Sequence, residues 1–462
     1  MSSSSLFTPH RIKVYPRIIL VVIGMVMLLN LAGATGWRGL GGQVLFHDLV
    51  IFYGAGALFH RAPESLYDFN EQLALQRSLI APTPLEGTGP FSHPPYVASL
   101  LEPLSGLSLP DALLLWTALS CAALGGTVVL AHRLVRRQPW NMTVAPATVA
   151  VIGLSSAPVL FGLYSGQMHA FVLLGILAAI VFVLDDKPWH AGAVAGLLAI
   201  KPQVALSFLI FFVARRSLKA CIAAALTVGA LNALLVGRVG LQAAISLYDS
   251  YINTTRALLT LPFNDGFPGY LLLTPYGLLS GLAGLEHQSA ILFFSNALAA
   301  GAVLWFLADA WRWRSSEVAT PLLLGRMLLL PSLVTPYLMM YDAAPLLVAC
   351  LLLVPPSMPR RMLDLGAVVY GALWIYPAVS AIVGVPLGAL LPLGLWTTSN
   401  TGVSSGVWRR ITRGGGNEPS SPGCADSACG IHAVGSFGVG AGRAGPTGAR
   451  ERRGRVDRTA HE

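Results

Sequence analysis

The sequence predicts an all-α fold, a polytopic bundle of about twelve membrane helices. Three observations carry that reading. Hydrophobic residues make up 54% of the 462-residue chain and charged residues only 11%, where a soluble domain carries about 25% charged residues. Long apolar runs at 18–34, 112–130, 290–307 and 365–383 are each near the length that crosses a hydrocarbon core of roughly 30 Å. In lipid the backbone must satisfy its own polar groups, so such runs are helices. Basic residues, finally, gather in short connections between the runs, the pattern of cytoplasmic loops.

The net charge of +9 does not point to nucleic acid, because seven of the 30 basic residues lie in the last 50 positions. Most of the others flank helices and act as a topology signal. Of the five cysteines, Cys121, Cys221 and Cys350 sit in apolar stretches and Cys424 and Cys429 in the tail. Neither a metal site nor a disulfide framework shows in their spacing. The first apolar run is too long for a cleaved signal peptide, and no small-residue pattern closes it. It reads as a first membrane helix with Arg11, Lys13 and Arg17 held in the cytoplasm.

From that start the helices alternate. Helix 1 (18–36) leaves the cytoplasm and is followed by a long outer segment, 37–109. Within it the short, proline-led stretch 94–107 is expected to lie on, or dip into, the outer surface. Helix 2 (110–132) returns to the basic cluster at 133–137. Helix 3 (143–162) exits and helix 4 (170–185) returns to a loop containing Lys187. Two short helices, 190–200 and 203–214, form a hairpin whose outer tip is Lys201-Pro202-Gln203. Helix 7 (218–236) exits to a second outer segment, 237–286. Helix 8 (290–308) returns to Arg312 and Arg314, and helix 9 (318–336) exits to Tyr337–Asp342. Helix 10 returns to Arg360 and Arg361, and a final pair places the tail inside. With Arg409 and Arg410 included and the seven of the last 50 positions left out, sixteen basic residues fall on the cytoplasmic side of this path and six on the other, although the outer loops are longer. The membrane domain is thus 18–398. The tail from 399 is rich in Gly, Ser and Arg without apolar period, and is expected to be disordered.

Once this path is drawn, the unusual polar residues share the outer side. They are His47 and Asp48, Tyr53, His93, Gln167 and His169, Lys201 and Gln203, and Tyr341 and Asp342. Charge in or beside lipid is costly, which makes such positions site candidates. Asp48, set among aromatic and aliphatic residues, could take a proton from a sugar hydroxyl; it could equally cap the helix that follows. Lys201, beside a proline break, could hold a lipid phosphate, or simply snorkel to headgroups. Asp342 with Tyr341 could carry a hydroxyl network or a cap. Gln167 and His169 could bind sugar hydroxyls or phosphate, or pack. His93 before two prolines fits a rigid turn, and Tyr53 and Tyr67 fit an aromatic belt. No nucleotide loop, zinc spacing or nucleophile elbow is present.

Several of these segments resemble glycosyltransferase family 87, polytopic enzymes of the GT-C fold. Asp48-Leu-Val-Ile-Phe52-Tyr53-Gly-Ala55-Gly56, followed by Leu66-Tyr67-Asp68, is similar to the family's opening element. Phe91-Ser92-His93-Pro94-Pro95 resembles its aromatic-Pro-Pro element, with His93 where an aromatic is usual. Tyr164-Ser165-Gly166-Gln167 resembles its Gly-Gln cap, with Met168 where Asn commonly follows. Gly196-Leu-Leu-Ala-Ile-Lys201-Pro202-Gln203 is the most specific match, and Thr335-Pro336-Tyr337 with Tyr341-Asp342 a weaker one. The resemblance covers about 15–395. It implies a hexosyltransferase, mannosyltransferase-like, in the cytoplasmic membrane with its active site facing the periplasm. Such an enzyme moves a sugar from a polyprenyl-phosphate carrier to a lipid or glycan acceptor with inversion. It also implies Asp48 as general base, with Lys201, Gln203 and Gln167 at the donor phosphate. His47, Tyr53, His93, His169, Tyr341 and Asp342 then fall near acceptor or sugar. The leaving group is a lipid phosphate supported by side chains, so no cofactor is expected and no metal ligands are assigned.

Two rivals remain at this stage. A lipid or sugar transporter usually repeats its broken helix in each half, and only the break at Lys201–Gln203 is seen. A transporter should hold charges near the midplane, whereas an enzyme should gather Asp48, Lys201 and Asp342 around one outward cavity. A non-catalytic assembly subunit would be favoured by loss of the outer-loop acid, and Asp48 is present.

Overall fold

The computed structural model describes residues 8–85, 89–137, 145–258, 269–314, 316, 319–354 and 359–400. The tail, apart from residues 399 and 400, therefore lies outside the described residues, as does part of the second outer segment. Every named element among the described residues is helical.

The first helix, α1 (Pro9–Ala32), starts earlier than the apolar run does. Thr8 accepts from the Arg11 N–H and Pro9 occupies the first turn, both favourable at a helix start. Hydropathy marks the stretch that meets lipid and is blind to a polar first turn. The face of α1 is largely exposed apolar surface, with Val21 and Leu28 both 67% accessible, as expected of a lipid-facing helix.

The first outer segment folds as three helices: α2 (His47–Arg61), α3 (Phe69–Leu79) and α4 (Pro95–Leu101). Asp68 caps α3 by accepting from the Asn70 and Glu71 N–H groups. The buried Gln72 donates to the Leu66 carbonyl and accepts from the Phe91 N–H, tying both ends of the segment to α3. The stretch expected to lie on, or dip into, the outer surface, 94–107, packs much of its apolar surface against α2. Tyr96, Val97, Ala98 and Leu101 join Leu49, Phe52 and Phe59 of α2 in one apolar cluster. A Cβ on Gly56 would meet the Leu101 carbonyl oxygen at 2.6 Å, so only glycine permits this approach.

Next come α5 (Leu109–Arg137), then α6 (Pro146–Leu154) and α7 (Ala157–Ser165). These last two were expected as one helix, yet they meet at a 50° bend. Ser155 and Ser156 leave the helical ladder and Pro158 restarts it in the first turn of α7, where its missing N–H is harmless. α8 (His169–Leu184) precedes the hairpin of α9 (Pro188–Leu197), a 3-10 turn (Leu198–Ile200) and α10 (Pro202–Ala214). Lys201 stands extended at the tip, as expected from Pro202. α9 is pressed onto α11 (Leu218–Val239). Gly192 and Gly196 make this possible, since Cβ atoms there would lie 2.1 Å from the Ala220 oxygen and 2.6 Å from Thr227. Small residues four apart serve close helix packing in membranes.

α12 (Leu241–Leu258) and α13 (Pro275–Ala283) belong to the second outer segment and lead to α14 (Gln288–Arg312). The single helix expected at 318–336 is split into α15 (Thr320–Met327) and α16 (Leu330–Val334), with Pro331 restarting the chain. α17 (Ala344–Leu353), α18 (Pro359–Val383) and α19 (Leu390–Asn400) complete the described chain.

Among the described residues five helices are long and apolar enough to cross a membrane, or six if α6 and α7 form one bent span. The twelve spans expected from hydropathy are therefore not reproduced. Prolines in the first turns of α7, α10, α16 and α17 cut apolar runs into pieces too short to cross alone.

At one end of the bundle two basic stretches meet. Arg216 and Arg314 both lie over the Trp311 ring, at 4.3 and 4.5 Å from its centroid. Arg215 donates to the Trp313 carbonyl. Two basic loops expected on the same side thus touch. Nearby Arg326 of α15, buried, pairs with Asp309 of α14 and donates to the Ser399 carbonyl of α19.

Candidate active site

A cavity of about 1830 Å³ opens between the first outer segment, the hairpin tip and the turn before α17. Asp48 enters it from the first turn of α2. It does not cap that helix: Phe46 is the N-cap residue, and no side chain caps there. The position in the first turn still favours a carboxylate, because the N-terminal partial charge of a helix is positive. Phe46 holds a left-handed φ of 53°, a conformation that is uncommon and strained for a bulky residue. That turn aims α2, and Asp48 with it, into the cavity.

The carboxylate is held from both sides. His47 Nε2 lies 3.2 Å from one oxygen and Gln167 Nε2 donates to the other at 3.1 Å. Burial would push this carboxyl up, but the His47 charge and hydrogen bond, then the Ser165 hydroxyl and the Lys201 charge, outweigh it. The net result is a carboxyl held below its usual range, ionised at neutral pH. Correspondingly, His47 is raised above 6.5, Asp48 more than offsetting the cost of burial.

Gln167 reaches Asp48 because the turn after α7 is built for close approach. Gly166 adopts a φ of +75°, and a Cβ there would meet Leu49 Cβ at 2.7 Å. The Gly166 carbonyl accepts from Trp116 Nε1 at 2.8 Å. Gln167 Oε1 takes the Met168 N–H, which fixes the amide orientation. Its side chain thus reaches the carboxylate.

On the facing wall Lys201 forms an ion pair with Asp342, and its ammonium sits 5.0 Å from the Tyr341 ring centroid. Both charged side chains are nearly buried, at 5% and 10% exposure. An ammonium has three donors, so one pairing leaves others for a ligand. His93 lies between Phe52 and Phe91, 5.5 and 5.6 Å from their rings. Its Nδ1 faces the Ile200 carbonyl at 3.1 Å, which requires the proton on Nδ1 and leaves Nε2 as an acceptor. Burial first, and the Lys201 charge second, bring His93 down to about 4, so it is neutral at pH 7.

The structure therefore brings His47, Asp48, His93, Gln167, Lys201, Gln203, Tyr341 and Asp342 to one cavity. Two candidates stand apart. Tyr53 turns away to donate to the Leu107 carbonyl, on the opposite face of α2 from the cavity wall. His169 packs against Gly162, with Nδ1 facing the Gln167 carbonyl at 3.2 Å. Among the described residues no three His, Cys, Asp or Glu side chains cluster as metal ligands do.

Sequence reasoning missed one wall. Tyr248 and Tyr251 of α12 and Tyr67 line the cavity as well. The three-residue spacing on an amphipathic helix was visible, but nothing in the sequence joined it to Tyr67.

Residues 91–336 match the model of glycosyltransferase family 87, a stretch that holds His93, Gln167, Lys201 and Gln203 and excludes Asp48. A curated relative from Mycolicibacterium smegmatis is 29% identical over 194 residues. That protein is a polyprenol-phosphate-mannose-dependent alpha-(1-2)-phosphatidylinositol pentamannoside mannosyltransferase; the match covers 42% of this chain and 44% of the relative. No solved structure matches the chain. The family model spans more than half of the sequence, and on that basis the chain belongs to glycosyltransferase family 87.

Proposed function

We propose that this protein is a membrane glycosyltransferase that moves a hexose, mannose first among candidates, from a polyprenyl-phosphate carrier to a lipid or glycan acceptor. The reaction runs at the outer face of the cytoplasmic membrane. The observation that carries the reading is the meeting of an ionised Asp48 with Lys201 across one cavity. Family membership and the polyprenol-phosphate-mannose dependence of the relative support it.

The acceptor hydroxyl attacks the anomeric carbon as its proton passes to Asp48. The bond from that carbon to the phosphate oxygen breaks on the opposite side, and the electron pair leaves with the lipid phosphate. The configuration inverts. Negative charge grows on the phosphate as the bond breaks, and the free donors of Lys201, with Gln203 beside it, are placed to meet it. Gln167 and His47 orient the carboxylate. Asp48, Lys201 and Asp342 gather around one cavity, as a transferase requires.

Membranes containing the protein, incubated with radiolabelled polyprenyl-phosphate mannose, are expected to yield labelled glycolipid or polysaccharide above control membranes. No label transferred from any polyprenyl-phosphate hexose would refute the reading.

A further inference from the structure

The cavity has two chemically different ends. One, along Leu206, Leu209, Cys221 and Ala225 of α10 and α11, is apolar and suits a hydrocarbon chain. The other is aromatic. Tyr248 stands edge-on to Tyr251, with centroids 6.5 Å apart, and Tyr251 lies 5.9 Å from Tyr67. Tyr67 in turn is 6.0 Å from Phe91, which neighbours His93. A run of rings thus leads from His93, beside the catalytic carboxylate, to α12.

The hydroxyls at both ends of this tyrosine run are committed to the protein. Tyr67 donates to the His93 carbonyl and Tyr248 to Asn232 Oδ1, each at 2.6 Å. Asn232 is itself fixed by donating to the Val228 carbonyl. These bonds hold the Tyr67 and Tyr248 rings in place along the cavity lining. Polar side chains border them, among them Asn253 and Thr254 of α12. A locked aromatic face rimmed by amide and hydroxyl groups suits a pyranose, whose apolar C–H face stacks while its edge hydroxyls form hydrogen bonds. A polyprenyl chain has no use for the rim, and the apolar residues of α10 and α11 fit it better.

We infer that the Tyr67–Tyr251–Tyr248 wall is a saccharide subsite, which binds a sugar ring of the acceptor beyond the one that receives the transferred hexose. The inference rests on the proposed transferase reading and narrows its acceptor to a glycan or glycolipid.

The test uses the full chain in lipid nanodiscs and a panel of manno-, gluco- and galacto-configured di- to tetrasaccharides, read by saturation-transfer NMR. At least one is expected to bind. Tyr251→Leu should weaken that binding about tenfold, while Tyr251→Phe, which keeps the ring face, should match wild type. A diazirine-bearing mannobiose should crosslink to the Leu241–Leu258 peptide of the wild-type protein, a readout that needs no variant. Failure of every saccharide to bind, or crosslinking confined to α10 and α11, overturns the inference. Saccharide binding without any transfer from a polyprenyl-phosphate hexose overturns the transferase reading and leaves the subsite standing.

Discussion

Asp48 draws its charge state from three neighbours, His47, Ser165 and Lys201. His47 supplies the larger share of what holds the carboxyl low against burial. Its removal therefore lets the Asp48 pKa rise. A general base works only when deprotonated, so transfer fails as pH falls through that pKa. We expect His47→Gln to shift the acid limb of the kcat/KM profile to higher pH, while the plateau rate changes less. An unmoved acid limb would remove His47 from this role. Lys201 is tied to Asp342 in a nearly dry setting. Cutting one partner of such a pair leaves a buried charge and costs about 3–5 kcal/mol. Lys201→Ala should accordingly unfold at lower temperature than the Lys201→Ala/Asp342→Ala double variant. Both should show a raised KM for the polyprenyl-phosphate donor, more than for the acceptor. Equal losses for donor and acceptor would count against the phosphate role.

At the scale of elements, the site depends on where helices are allowed to approach. Gly166 holds a left-handed turn with Leu49 against it. A side chain there adds about 1–2 kcal/mol of backbone strain and pushes α2 away. Gly166→Ala should lower both melting temperature and kcat, because Gln167 and Asp48 part together; a stable variant with a wild-type rate would contradict this. Gly192→Leu should be worse, since α9 and α11 must separate to admit it. The hairpin tip at Lys201 was legible because Pro202 has one local meaning. The breaks in α6–α7 and α15–α16 were not, because the runs stay apolar through Pro158 and Pro331. Hydropathy averages over a window and cannot see a missing N–H. The packing of 94–107 against α2 was equally hidden, since an apolar stretch reads alike at a surface and against a helix.

For the molecule as a whole, polar chemistry and structural charge occupy different places. One cavity collects Asp48, His93, Lys201 and Asp342. Elsewhere Arg326, Asp309 and Ser399 tie α14, α15 and α19 together. Arg326→Met should destabilise, though by less than the about 3 kcal/mol of a fully stranded charge because Arg312 still lies 3.8 Å from Asp309, and should leave donor and acceptor KM unchanged in the protein that remains folded. The sequence placed eight of its ten candidate residues on the cavity wall, because motif residues and charge avoidance both report on ligand-facing positions. It could not foresee that Gln167 faces Asp48, nor the tyrosine wall, which arises only when segments 67 and 248–251 meet. The account stands or falls on the carboxylate at position 48. The direct measurement is the transfer rate of Asp48→Asn in nanodiscs, alongside its melting temperature. We predict unchanged melting and a rate reduced by about 10²–10⁴-fold, the range lost with a general base; a variant that turns over at the wild-type rate would contradict the mechanism.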